Sequence, residues 1–165
     1  MRQLVVAATV TPTDRGLIRL EEELEKLDGS YVMVGFQEGE VTKSQTKGGR
    51  SKKAGQNMAQ IAADNEFGTS KIPARSFMRT SFDENQKVID KAIGIEYDQI
   101  IEGKKTVRKS LVRLGVLMEG LIKKKIRSIH YPPNSPRTIA AKKSSKPLID
   151  FGQMIAAIHS KVVVK

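Results

Sequence analysis

Asp64 and Glu66, Ser70, Ser76 and Ser81, and His130 and His159 are the side chains of this sequence whose types invite a search for catalysis. The two carboxylates stand two positions apart on a stretch with helical periodicity, so they point away from each other and make no natural acid/base pair. Neither histidine is near one of these serines in sequence, and neither belongs to an H-x-x-x-H or H-x-E arrangement that would hold zinc. Cysteine is absent, which removes thiol nucleophiles, cysteine zinc sites and disulfides together and is compatible with a reducing cytosol. GGRSKKAG lacks the Gly-Lys-Ser/Thr ending of a phosphate loop. The expectation is a protein that is not an enzyme, with no metal, no cofactor and no small-molecule substrate.

Charge is the next chemistry available. The 165 residues carry a net charge of +11, and its distribution is uneven. Between Lys104 and Lys146 thirteen Lys or Arg stand against one acid, Glu119, a balance of +12, while the rest of the chain has 16 basic and 17 acidic side chains. A smaller block at 42–56 holds five basic residues and no acid. Such a field attracts polyanions without reading sequence, and Lys109, Arg113, Lys123, Lys124, Lys125 and Arg127 are the candidate contacts to DNA or to an acidic partner. A solvated, lysine-rich helix face is the plain alternative. No helix-turn-helix, KH or RNP-type signal accompanies the charge.

The elements that must position these groups follow from periodicity. LVVAATV at 4–10 reads as a strand, and the threonines and Asp14 around it argue against a signal peptide or membrane span. Leu17, Ile18, Leu20, Leu24 and Leu27 recur at helical spacing over 15–27, with Asp14 able to cap; YVMVGFQ at 31–37 reads as a second strand. The stretch 38–56 has almost no apolar residues and is expected to be a flexible basic loop that buries nothing. Helices are expected over 57–68, 76–97 and 104–129, the last two parted at Gly103, and PRTIAAKK should form a short helix with Ser135 as N-cap and Pro136 at its first position. At the end of the chain Asp150 is a candidate N-cap, rather than a metal ligand, for GQMIAAI, and HSKVVVK supplies a terminal strand. The fold class is α+β: one domain over 1–165, with a small, mostly antiparallel sheet packed with several helices, including a long basic one.

NEFGTSKIPARSFMR at 65–79 joins two of these helices. Gly68 is placed to stop the first in a left-handed conformation, Pro73 to set the path into the second, and Phe77 with Met78 to bury against the sheet. Arg75 and Arg79 lie four apart and would share a face if helical. They can brace this corner, a neighbouring subunit, or a phosphate.

Three stretches, in order, resemble a known group. EFGTSKIPARSFMR is similar to the E-F-G-T-x-x-x-P-A-R-P-F-L-R segment of tailed-bacteriophage proteins of the HK97 gene-10-like and Mu-type virion morphogenesis groups. SPRTIAAKK and KPLIDFGQM resemble that group's S-P-x-T-I-x-x-K and K-P-L-x-D-T-G-x-L. Ser76, Met78, Thr80 and Phe151 depart from the pattern. The resemblance implies a virion protein of the neck or tail, made in the bacterial cytoplasm and acting in tail completion at the head-to-tail joint. It further implies a homo-oligomeric ring, hexamer or dodecamer, partnered by other neck, connector and tail proteins and by passing genomic DNA, with no membrane partner. The matching residues at the C-terminal end are Pro147, Leu148, Asp150 and Gly152. A sequence-nonspecific nucleic-acid-binding module using 104–146 is the rival reading, motivated by charge alone.

Overall fold

A computed structural model of the chain describes residues 15–47, 50–52, 54–128, 131–150 and 152–165. The strand expected at 4–10, the Asp14 cap and His130 lie outside the described residues. In chain order the elements are α1 (Arg15–Leu27), β1 (Tyr31–Phe36), β2 (Gln45–Lys47), β3 (Arg50–Lys52), α2 (Met58–Phe67), α3 (Phe77–Ile101), α4 (Val107–Arg127), α5 (Pro136–Lys142), α6 (Gln153–Ala156) and β4 (Ile158–Val163). The α+β expectation holds: long helices pack on a small antiparallel sheet.

β1 and β4 pair antiparallel, with Tyr31 opposite Val163 and Phe36 opposite Ile158. Alternation along β1 leaves Tyr31 and Met33 exposed, while Val32 and Val34 turn toward α3 and α4. α4 can lie close to this sheet because residue 115 is glycine. A Cβ there would sit 2.7 Å from the Ser160 side chain. α3 packs antiparallel-fashion along α4 after a short turn through Gly103, and the core joins Met58, Ala62, Phe77, Ile122, Ile126, Leu148, Met154 and Ile158. Phe77 is completely buried and meets Phe36 edge-to-face at 6.4 Å, so the corner expected from its sequence is anchored in the core.

The expectation for 38–56 needs correction. The stretch 38–56 is not devoid of buried structure: β2 and β3 form a hairpin, Val41 bridges Asn57, and Thr42 is fully buried. Backbone and hydroxyl bonds, rather than apolar contacts, hold its base: Thr42 N–H donates to Gln56 O at 2.8 Å, and the Gln56 N–H to Thr42 Oγ1 at 3.0 Å. α1 forms over the expected span, with Leu17, Ile18 and Leu24 exposed. Among the described residues no helix is long and apolar enough to cross a membrane.

Buried carboxylates do structural work across elements. Glu66, on α2, accepts the Met78 and Arg79 N–H groups at 2.9 and 3.0 Å and so caps α3, whose own Ser76 makes no side-chain cap. Glu23, on α1, accepts the Val107 N–H at 2.7 Å and helps Thr106 cap α4. The first-turn N–H groups of a helix have no intrahelical partner and favour negative charge, so each long helix begins on a carboxylate supplied by a shorter one.

Glu119 ties α4 to the sheet. Its Oε1 accepts both the backbone N–H and the hydroxyl of Ser160 at 2.7 Å, and Lys123 donates to its other oxygen at 2.8 Å. Burial alone would raise its pKa, but the bonds to Lys123 and Ser160 together outweigh burial and hold the carboxyl below its ordinary 4.5. A lowered folded-state pKa gives stability that is fully present above the ordinary value and is lost as pH falls through the folded one. Glu119→Gln should therefore lower unfolding free energy by about 1 kcal/mol at neutral pH, since an amide oxygen still accepts one bond. The difference from the parent should shrink toward zero in urea melts taken at progressively lower pH below 4.5. A difference that stays constant across that range would contradict the assignment.

Candidate functional site

The three sequence stretches with a resemblance meet at one corner of the molecule. α2 ends at Phe67, and Gly68 takes φ +77° with ψ 169°. Positive φ was expected, but the extended ψ was not: this is the region open essentially to glycine alone, rather than the left-handed helical stop. The chain then reverses through a turn in which Thr69 donates its N–H to Ile72 O at 2.8 Å, while its hydroxyl accepts the Lys71 and Ile72 N–H groups. After Pro73, the Arg75 N–H donates to Asn65 O at 2.6 Å and the Ser76 hydroxyl to Glu66 O at 3.0 Å.

Arg75 and Arg79 do not share a face. Arg75 precedes α3 and is 5% exposed, whereas Arg79 is in the first turn, exposed, with its guanidinium 5.8 Å from the Phe67 ring centre. The Arg75 fork reaches across the corner to the segment before α5. Nε donates to Pro132 O at 2.9 Å, Nη2 to Pro133 O and Asn134 Oδ1 at 3.2 Å, and Nη1 to Asn65 Oδ1 at 3.2 Å. Every acceptor is neutral. Burial pushes the Arg75 pKa below its ordinary value, and the group still remains a cation at any physiological pH.

On the C-terminal side, Ser135 caps α5 by accepting the Thr138 N–H at 3.2 Å, with Pro136 in the first turn. Asn134, besides meeting Arg75, donates to Lys146 O at 3.4 Å. Pro147 and Leu148 are buried, Leu148 in the same core as Phe77. Asp150 is not the cap of α6: Gly152 holds that position with φ +74°, and the helix is only four residues long. The motif's Gly152 thus serves a backbone turn, and the following Gln153 clamps the 38–56 stretch by accepting the Lys43 N–H at 3.0 Å and donating to Lys43 O at 2.7 Å. Pro73, Arg75, Leu148 and Asp150 line one cavity of about 290 Å³, so residues some 75 positions apart in sequence converge there. Sequence reading named these residues separately; nothing local in it carried their meeting.

The basic residues of α4 divide into two sets. Arg113 pairs with Glu96 at 3.2 Å, Lys123 with Glu119 at 2.8 Å, and Lys125 with Glu84 at 2.7 Å. Lys109, Lys124 and Arg127 are exposed and have no ion pair among the described residues. Arg113 remains 72% exposed in spite of its pair, so water screens that contact and leaves its charge on the surface. Lys109, Arg113, Lys124 and Arg127 fall on one side of the helix, a basic row of about 27 Å at 1.5 Å per residue. Val112 and Val116 are exposed within that surface.

The groups that invited a catalytic reading are dispersed. Asp64 accepts a bond from Gln60 Nε2 at 2.8 Å on the α2 surface. His159 lies on β4, its Nε2 3.6 Å from Glu40 Oε1, beside a cavity of about 500 Å³ whose lining, among the described residues, includes no hydroxyl or thiol side chain. Ser70 is exposed, and the Ser81 hydroxyl is buried without a partner among the described residues. No group of three His, Cys, Asp or Glu among the described residues is placed to hold a metal.

No protein-family model, curated protein or solved structure matches this chain.

Proposed function

We propose that the chain is a structural virion protein of a tailed bacteriophage, acting at the head-to-tail joint as a neck or tail-completion subunit within a homo-oligomeric ring. The observation that carries this reading is the ordered resemblance of EFGTSKIPARSFMR, SPRTIAAKK and KPLIDFGQM to that group of proteins. Two features of the fold support it. The three stretches pack around one corner, as expected of residues that specify a common architecture rather than of chance matches. α3 also leaves Phe82, Ile93 and Tyr97 on one side and Val88 and Ile95 on the other each about half exposed, apolar positions suited to packing between subunits. The role asks for no catalysis. Its partners are further copies of itself and neighbouring neck, connector and tail proteins, and the basic row of α4 faces DNA or an acidic ring.

Negative-stain microscopy of the purified protein should show closed rings, and antibody labelling should place it at the neck or tail of particles. Phage deleted for the gene should accumulate heads and tails unjoined. Normally joined particles that lack the protein would eliminate the reading.

A nonspecific nucleic-acid-binding module is the second reading, favoured by the row Lys109, Arg113, Lys124 and Arg127. A monomer acting in that way should bind duplex DNA with a logarithmic salt slope of about −4, one phosphate for each side chain of the row, and each charge removed should reduce the slope by about 1. Binding absent at low salt would exclude it.

A further inference from the structure

We infer that the basic row of α4 is a docking surface for α1 of a second copy of this chain. At 3.6 residues per turn, Leu17, Ile18, Glu21, Leu24, Glu25 and Asp28 fall within about 120° on one side of α1. All six are exposed. This side carries three acids and no base, and none of the three acids has an ion pair or side-chain hydrogen bond among the described residues. α1 is seated by its opposite side, where Leu20 and Leu27 are half-buried and Glu23 accepts the Val107 N–H at the start of α4. The acidic side therefore turns away from the α4 of its own chain.

Exposed leucines among unpaired carboxylates fit a partner that is apolar along its middle and positive beside it. α4 presents that pattern. Lys109, Lys124 and Arg127 are exposed cations with no ion pair among the described residues, and the exposed Val112 and Val116 lie between the first two. The one acid of the helix, Glu119, is held by Ser160 and Lys123. On the α3 side of the row a hollow of about 290 Å³ is lined by Val88, Ala92, Ile95 and Leu117, so the apolar strip has width as well as length. α1, with 13 residues and a length of about 20 Å, fits within the row of about 27 Å. Packing Leu17 and Leu24 on Val112 and Val116 removes apolar surface from water, and the flanking charges fix register. Because the two surfaces differ, each copy can offer α1 to one neighbour and α4 to the other, a head-to-tail contact. The inference rests on the ring reading only for the closure of these contacts; the contact itself stands on the two helix faces.

Sedimentation velocity on the full chain, over a range of protein and salt concentrations, tests it. The parent should self-associate, and more weakly as salt rises. Glu21→Lys with Glu25→Lys, and separately Lys109→Glu with Lys124→Glu, should each weaken association by about tenfold or more, because like charges then meet. An equimolar mixture of the two variants should associate again, since each offers the other a complementary face; a variant that had merely misfolded would not recover. A dimer that follows the same charge exchange upholds the contact and removes the ring. A parent that stays monomeric, or a mixture that fails to recover, overturns the contact. Association untouched by either reversal also overturns it, and rings seen by microscopy would then keep the ring reading alone. Loss of duplex DNA binding in the α4 variant, with self-association intact, assigns the row to nucleic acid and overturns it as well.

Discussion

Gly68→Ala is expected to destabilise the fold by about 3–5 kcal/mol, adding the strain of a forbidden backbone conformation to a steric clash. The φ of +77° with an extended ψ is costly for any L side chain. A Cβ would moreover lie 2.8 Å from Ala74 N, 3.1 Å from Ala74 Cα and 3.1 Å from Ile72 O. All three are backbone atoms, so no side chain can rotate aside. The turn cannot open cheaply either, because Thr69, Ile72, Asn65 and Arg75 are bound to one another across it and Phe77 follows in the core. Urea unfolding should show a large fall in midpoint. Gly94→Ala and Gly120→Ala are the matched controls: both sit on helix surfaces with nothing near the added carbon, and each should be neutral or stabilising by up to about 1 kcal/mol. If Gly68→Ala behaved like them, the tight approach of residues 72–74 to the end of α2 would be wrong.

Local pattern carried most element bounds and almost none of the connections between elements. The apolar repeat Val107, Leu114, Ile122, Ile126 placed α4 to within about three residues at each end, and β-branched residues did the same for β1 and β4, because helix and strand periods are local properties. The hairpin of β2 and β3 was not legible, since QTK and RSK show no alternation and are held by backbone pairing. Glu23 is not singled out by the sequence, and Glu66 is weighed there only as a carboxylate beside Asp64 and a motif residue; each caps a different helix, and the first of these bonds spans 84 positions. Glu66 offered one signal, its place just before a glycine-ended helix and a new helix start. Asp150 was read as a cap from residue type alone, but glycine at 152 let the chain turn later. For Arg75 sequence supplied the residue and left three roles open; the acceptors that decide its position come from 57 to 59 residues further on.

Arg75→Met should cost about 3 kcal/mol, the balance of two opposed effects. Removing the guanidinium relieves the burial of a charge that no carboxylate neutralises among the described residues, and methionine fills much of the same volume without strain. Against this, four hydrogen bonds disappear at once, two of them side-chain ties from the 68–76 turn to Pro132 and Pro133. Those two prolines are exposed, so water can replace the donor on their carbonyls, and the bonds to Asn65 and Asn134 are likewise only partly shielded. The net loss is therefore smaller than for four fully buried bonds, yet the tether from the 65–79 corner to the 132–134 segment before α5 is gone. Arg75→Lys keeps the charge without the planar fork and should recover only part of the stability. Urea melts measure the total, and hydrogen exchange separates its origin: amides of 131–150 should lose protection more than those of α4. Uniform loss along the chain, or a cost below about 1 kcal/mol, would mean that Arg75 is an ordinary surface-like cation and not the brace that joins the two halves of the corner.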